Sequence, residues 1–288
     1  MINHSFKAAL SAFLILALSA SFLLSGCGGA KEPEKISYTV TLQTEGGMPL
    51  SDVVISVYEG ESLSKLVWAS TTDKDGKITF TAPEGDYYAA LKEAPKGYSI
   101  EKSYVINSDN MTISLAAALL SHESLDNTVF DLGSVFLDYE ITDSEGNTHK
   151  ISELLKSKKA VILNFWFLNC DPCKAEFPYL QKAYEKYSED IALIALNPVD
   201  GTDEKINDFA KKLSLSFPMG CAESGWESAV RISAYPTTVV IDRYGTVALK
   251  HTGSITSEGE FEKIFGFFTS DSYKQTTLRN MEDIPEIN

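Results

Sequence analysis

The feature that most constrains this chain is a pair of cysteines, with two residues between them, at the junction of a buried strand and a helix. Val161-Ile-Leu-Asn-Phe-Trp-Phe167 is an apolar run of strand length, as a strand covered on both faces requires. It leads into Asn169-Cys170-Asp171-Pro172-Cys173, and Lys174 to Tyr187 then has helical spacing, with Phe177, Leu180, Tyr184 and Tyr187 on one stripe. A cysteine at a helix start meets unpaired N–H groups and the positive end of the helix dipole, both of which stabilise a thiolate. Two intervening residues let the second sulfur reach the first and close a small disulfide ring. Pro172 stiffens that ring and tolerates the first helical turn, where an N–H is dispensable. Cys170 is expected to attack and Cys173 to resolve.

The competing use of such a pair is metal binding, copper handling included, with Cys221 as a third ligand. It needs further ligands, and His4, His122, His149 and His251 stand at no ligand spacing from the pair. Redox chemistry is the better fit. Cys221, in Phe217-Pro-Met-Gly-Cys221, reads as a small buried thiol.

From about Val129 onward strands alternate with helices, which argues for an α/β layer fold. Ser144-Glu-Gly-Asn147 is a hairpin signal, and Ile151 to Lys156 is a short helical turn. Ile191 to Leu196 reads as a buried strand, Asp203 to Leu213 as a helix, and Ala229 to Ala234 as the end of one. Tyr235-Pro-Thr-Thr-Val-Val-Ile-Asp242 is a strand opened by proline, Arg243-Tyr-Gly245 turns the chain, Thr246 to His251 pairs back, and Ser257 to Phe268 closes as a helix. Asp271 to Asn288 has no periodicity and is expected to lie along the surface. Trp226 reads as a packing residue.

Residues 36 to 115 follow a different rule. Short alternating or β-branched runs, Ser37 to Leu42, Val53 to Tyr58, Lys77 to Thr81 and Tyr87 to Leu91, are separated by Glu45-Gly46-Gly47, Asp75-Gly76 and Glu84-Gly85-Asp86. Strands so spaced suggest a small β-sandwich serving as stalk or spacer, with Tyr87, Tyr88 and Tyr98 in or near its core. At 288 residues and 44% hydrophobic content the chain is long enough for two such bodies. A formal charge of −15, with no cluster of Lys and Arg, disfavours binding to nucleic acid or to anionic lipid. Four cysteines are too few for a disulfide-stapled scaffold.

The first residues carry His4 and Lys7 and are followed by an uncharged apolar run from Ala8 to Leu24. A short cationic stretch and an apolar core form an export signal, although the run nears the roughly 18-residue limit for a spanning helix. Leu24-Ser-Gly-Cys27 resembles a bacterial lipobox. That resemblance implies cleavage before Cys27, lipidation of its thiol, and a working part outside the cytoplasm, on the outer face of the cytoplasmic membrane. Two or three acyl chains on one residue anchor stably where one is marginal.

Two further resemblances cover the remainder. Asp73-Lys-Asp-Gly76, followed by Gly85 to Tyr98, resembles the Cna-B or prealbumin-like repeats of Gram-positive surface proteins. Asn164-Phe-Trp-Phe-Leu-Asn-Cys-Asp-Pro-Cys-Lys-Ala-Glu-Phe-Pro178 and Tyr235-Pro-Thr-Thr-Val-Val-Ile-Asp-Arg-Tyr-Gly245 resemble the TlpA/ResA group of thioredoxin-fold oxidoreductases, over roughly residues 129–269. The chain is then multidomain, a small all-β sandwich followed by an α/β thioredoxin fold whose central mixed sheet is flanked by helices. Its expected segments are 1–27 signal and lipobox, 28–35 tether, 36–115 sandwich, 116–128 linker, 129–270 thioredoxin-like domain and 271–288 tail.

The second resemblance implies a cis peptide before Pro236 and a loop in which Tyr235 and Pro236 bind extended substrate beside Cys170 and Cys173. Trp166 joins them as an expected substrate contact, although packing is its simplest use. Asp171 and Pro172 form the reactive loop, Glu176 tunes the acidity of the thiols, and Pro178 kinks the helix. The family's usual tryptophan before the first cysteine is replaced by Asn169. The implied activity is reduction of protein disulfides by the Cys170–Cys173 couple without any other cofactor, supplied with electrons by a CcdA- or DsbD-type membrane thiol transporter. Candidate substrates are apocytochrome c in cytochrome c biogenesis, a peroxidase or methionine sulfoxide reductase, or a wall-assembly protein. The rival class is a surface adhesion or binding lipoprotein with a thioredoxin-like scaffold, which would need neither Cys-x-x-Cys nor Tyr-Pro.

Overall fold

The computed structural model describes residues 33–118, 125, 129–136, 138–279 and 281–285. Cys27 and the apolar run before it, most of the expected linker, and His122 lie outside the described residues. Among the described residues no helix is long and apolar enough to cross a membrane.

Strand alternation builds the first body. Seven strands follow one another: β1 (Lys35–Thr44), β2 (Val54–Glu59), β3 (Lys65–Thr71), β4 (Lys77–Pro83), β5 (Tyr87–Leu91), β6 (Tyr104–Ile106) and β7 (Asn110–Leu115). They form two sheets, ordered β4-β1-β7 and β3-β2-β5-β6. Every second residue of β1, Tyr38, Val40 and Leu42, points into the space between them. Ile78, Phe80 and Ala82 meet these from β4, and Tyr87, Ala89 and Leu91 from β5, so one apolar core fills the sandwich. Tyr38, Phe80 and Tyr87 form an aromatic centre with ring centroids 5.0 to 5.7 Å apart. The Asp75-Gly76 reversal needs its glycine twice over. Gly76 has a φ of +72°, and a Cβ there would sit 2.3 Å from the carbonyl oxygen of Leu42.

The second body begins with a hairpin, β8 (Glu140–Thr142) and β9 (Thr148–Lys150), and the one-turn helix α1 (Ile151–Leu154). Then come β10 (Ala160–Phe165), α2 (Asp171–Tyr187), β11 (Ile191–Asn197), α3 (Asp203–Leu213), β12 (Met219–Cys221), α4 (Trp226–Val230), β13 (Thr237–Asp242), β14 (Val247–Thr252) and α5 (Glu258–Thr269). The sheet order is β12-β11-β10-β13-β14, with β10, β11 and β12 parallel and β13 antiparallel to both β10 and β14. This is a mixed sheet with a wholly buried central strand. Along β10, Ala160 and Ile162 face one core with Phe177 and Leu180 of α2 and Phe261 and Phe265 of α5. Val161, Leu163 and Phe165 face the other, with Trp226 of α4, Phe130 and Phe136. An apolar run on a central strand therefore reflects burial on both sides.

One expectation is corrected and one is sharpened. The helix expected to end within Ala229 to Ala234 stops at Val230, because Arg231 takes a left-handed φ of 54°. The described part of the tail runs along the surface, with Asp271, Ser272, Lys274, Thr277 and Arg279 exposed, but it is pinned there, because Tyr273, Gln275, Leu278 and Ile284 are buried. Tyr273 donates its hydroxyl to Asp242 at 2.9 Å, and the Leu278 N–H donates to the Ala248 carbonyl at 2.8 Å. Gln275 spans both bodies. Its side-chain amide donates to Thr246 of the second (3.0 Å), its backbone N–H donates to Gly46 of the first (3.1 Å), and its carbonyl accepts from Thr44. A segment with no period still buries apolar groups when single side chains plug separate sites.

Candidate active site

Register brings the site together. Phe165 at the end of β10 lies opposite Thr237 at the start of antiparallel β13, and beside Leu196 near the end of parallel β11. Thr237 in turn faces Thr252 at the end of β14. The loop to Cys170, the Tyr235-Pro236 segment, residues 198–201 and the stretch after Thr252 therefore emerge at one end of the sheet.

Cys170 and Cys173 are joined by a disulfide, with Cα atoms 5.2 Å apart. Cys170 is the N-cap of α2, in an extended conformation, and its Sγ accepts the backbone N–H of Cys173 at 3.1 Å. Pro172 falls at the second helical position and offers no N–H. The Cys173 N–H is thus a helix-end donor aimed at the Cys170 sulfur, the position a side-chain oxygen takes in an ordinary cap. The helix dipole adds to the same field. Cys170 keeps 2% of its surface and Cys173 none. Both are buried, and of the two only Cys170 keeps any exposed surface.

The Tyr235–Pro236 peptide is cis. Pro236 is buried, and its carbonyl accepts the Gly253 N–H at 2.9 Å. Tyr235 is half-buried, stands edge-on to Phe167 with ring centroids 5.4 Å apart, and donates its hydroxyl to Glu227 at 2.5 Å. Burial, and next the Glu227 carboxylate, push the phenol's acidity out of reach, so Tyr235 acts as a neutral donor. Phe167 connects the cysteine loop to the proline loop.

Trp166 does not belong with the substrate contacts. Its ring is wholly buried between Phe177 and Phe209, at 5.2 and 4.8 Å between centroids, so an incoming chain cannot touch it. Phe167, one residue later and beyond the end of β10, is only partly buried and packs at the edge of the same core. Asp171 is exposed and pairs with Lys174 at 3.3 Å, so solvent and this cation screen its charge from the sulfurs. Pro178 lies inside α2 on an exposed side.

Glu176 lies three residues beyond Cys173 on the same side of α2, with none of its surface exposed. Its carboxylate accepts the side-chain amide of Asn164 at 2.8 Å and the backbone N–H of Ile255 at 3.1 Å. Burial outweighs both bonds and raises its pKa to about 7. Near neutral pH this carboxyl is therefore close to its midpoint, on the side of α2 that also carries Cys173.

Sequence reasoning missed Asn164 and Asp200. Asn164 sits in register with Thr238, donates to its hydroxyl at 3.1 Å and to Glu176, and its own buried carbonyl has no hydrogen-bond partner among the described residues. A polar residue inside an otherwise apolar strand was the available signal. Asp200, in the turn after β11, bonds the cysteine loop from outside the motif. Nothing local in the sequence marks it. Cys221 closes β12, half-buried, and burial and next Asp203 raise its thiol pKa. Among the described residues, no group of three or more His, Cys, Asp or Glu is placed to hold a metal ion.

Comparison with known proteins gives the following. Residues 132–250 match the AhpC/TSA family, and residues 39–118 match a prealbumin-like fold domain. The thiol-disulfide oxidoreductase ResA of Oceanobacillus iheyensis is 30% identical over 161 residues, covering 53% of this chain and 83% of that protein. The ResA of Geobacillus kaustophilus is 32% identical over 133 residues, covering 46% and 75%. Among solved structures, a thioredoxin-family thiol:disulfide interchange protein from Chlorobium tepidum is 21% identical and covers 47% of this chain and 96% of its own, with a TM-score of 0.42.

Proposed function

Since the chain belongs to the ResA-type thiol-disulfide oxidoreductases, we propose that it reduces disulfides of exported proteins through the Cys170–Cys173 couple, held outside the cytoplasm by lipid on Cys27. The observation that carries this reading is the disulfide closed at the start of α2, its outer sulfur facing a helix-end N–H beside a cis-proline loop.

The couple is itself the redox centre, and the cycle balances. With both sulfurs reduced, the Cys170 thiolate attacks one sulfur of a substrate disulfide. The substrate S–S bond breaks, its other sulfur leaves as a thiolate that takes a proton, and a mixed disulfide forms. Cys173 then loses its proton and attacks the Cys170 sulfur. The mixed disulfide breaks, the second substrate sulfur leaves as a thiolate and is protonated, and the Cys170–Cys173 disulfide closes. Two electrons and two protons have passed to the substrate. A membrane dithiol of the CcdA or DsbD kind returns them.

Tyr235 and Pro236, at the same end of the sheet as Cys170, would offer an extended substrate an aromatic face and a strand start. Glu176 supports the reductive direction. Above pH 7 its buried charge opposes a second anion at Cys173, and a less stable dithiolate makes the disulfide harder to reduce. The N–H at Cys170 pulls the other way, but one hydrogen bond to sulfur is a smaller effect than a charge in a dry site.

Cys173→Ala in the full-length protein will leave the mixed disulfide unresolved. Mass spectrometry of adducts from cell envelopes will find partners joined through Cys170, and these identify the substrates. Recovery of no adduct from oxidised envelopes would end the exchange reading. The address has its own test. Cys27→Ser will abolish incorporation of labelled lipid, and label still carried by that variant would rule out the lipobox.

A further inference from the structure

The backbone that delivers Cys170 is held at three successive alternate N–H groups, and only one of them is held by a side chain. The Trp166 N–H donates to Leu196 of the neighbouring strand at 3.0 Å, and the Cys170 N–H donates to Phe167 at 3.1 Å, closing a turn. Between them, the Leu168 N–H donates to Asp200 Oδ1 at 2.8 Å. Asp200 Oδ2 accepts the side-chain amide of Asn169 at 3.2 Å. One carboxylate thus bonds the two residues immediately before the outer cysteine.

That carboxylate is itself fixed. Asn197, 2% exposed at the end of β11, accepts the backbone N–H groups of Val199, Asp200 and Gly201 at 3.0, 3.0 and 3.1 Å and winds the turn around its own side chain. Its amide also donates to Asp200 Oδ1 at 3.1 Å. Gly201 packs so closely that a Cβ would lie 3.0 Å from Asn197 Cγ and 2.9 Å from Ile206 Cδ1. The turn is complete without Asp200's carboxylate, whose remaining bonds all go to the cysteine loop. They are charge-assisted, the strong class of neutral-donor bonds.

We propose that Asp200 is a positioning residue for Cys170: it holds Leu168 and Asn169 so that the Cys170 sulfur stays in line with the Cys173 N–H and open to an incoming disulfide. This rests on the reading of Cys170 as the attacking thiol. Without the carboxylate the loop loses both of its hydrogen bonds to the turn after β11, and fewer molecules present the sulfur in the attacking geometry. Attack then slows even where the thiolate is fully formed.

The test uses the full chain, reduced, with glutathione disulfide as the probe, and measures the second-order exchange rate across pH beside thermal melting. Asp200→Ala, and Asp200→Ser as the milder truncation, should lower the high-pH plateau at least tenfold with little change in melting temperature. Asp200→Asn, which keeps an oxygen for the Leu168 N–H, should recover most of the rate. Plateau rates equal to wild type in the truncations would overturn the proposal. So would Asp200→Asn falling as far as Asp200→Ala, or a rate loss that tracks unfolding alone. Cys170→Ser, run in parallel, reads the underlying assignment separately: exchange that survives in it refutes Cys170 as the nucleophile, whatever the Asp200 variants do.

Discussion

Cys170→Ser will abolish disulfide exchange, with a loss of about 10³-fold or more, and will leave a Cys173 thiol that alkylating reagents do not reach. Cys173→Ser will also stop turnover, yet its Cys170 thiol will be alkylated readily at neutral pH. The asymmetry follows from the start of α2. Cys170 is the less buried of the two and its sulfur accepts the Cys173 N–H, and that donor is backbone, so it survives replacement of the Cys173 side chain. A thiolate at Cys170 therefore remains stabilised in the Cys173 variant. Cys173 has no exposed surface and lies within the core formed by Phe177, Leu180 and Phe261. The measurement is the rate of iodoacetamide capture, by mass, in each variant under native conditions. Equal capture of the remaining thiol in both would mean that the two sulfurs are equivalent, and the division into attacking and resolving cysteine would fall.

That division is legible in the amino-acid sequence because it depends only on local order: a strand, two cysteines with a proline between them, and a helix. The cis bond at Pro236 follows from resemblance and not from spacing. Other parts are hidden for physical reasons. Trp166 and Phe167 are adjacent aromatics, and which of them turns inward depends on where β10 ends, a detail set by pairing with β13. Tyr273, Gln275 and Leu278 have no common period because each fills a different site, one at Asp242, one between the two bodies and one on β14. Asp200 is 30 residues from Cys170 in sequence, and only the parallel register of β10 and β11 brings them together. Glu176 is visible as a residue on the right side of a helix, but its protonation is not. That depends on Asn164, Ile255 and total burial, all supplied by other elements.

Glu176→Gln is expected to stabilise the fold above pH 7 and to make the reduction potential less negative. Glu176 has its pKa raised from 4.5 to about 7 by burial, so between these values the folded chain binds a proton that the unfolded chain has released. Stability therefore falls as pH rises through that window, and the full cost, about 3 kcal/mol, is present above pH 7 and absent below about pH 4. Gln cannot ionise and escapes this cost. The exchange also rearranges the site's hydrogen bonding. Gln can present its oxygen to the Ile255 N–H and its amide to Asn164, but a flip of Asn164 that turns its carbonyl to the new amide takes the Asn164 amide away from its present acceptors. The variant should consequently gain stability at pH 8 and little at pH 5, measured by denaturant melts of the oxidised protein at both values. The same lost charge lowers the cost of a thiolate at Cys173, shifting the potential upward by about 30 mV for each 1.4 kcal/mol of repulsion removed. Equilibration against dithiothreitol buffers reads that shift. A stability gain identical at pH 5 and pH 8 would show that Glu176 stays protonated across the range, and its charge would then have no part in setting the direction of electron flow.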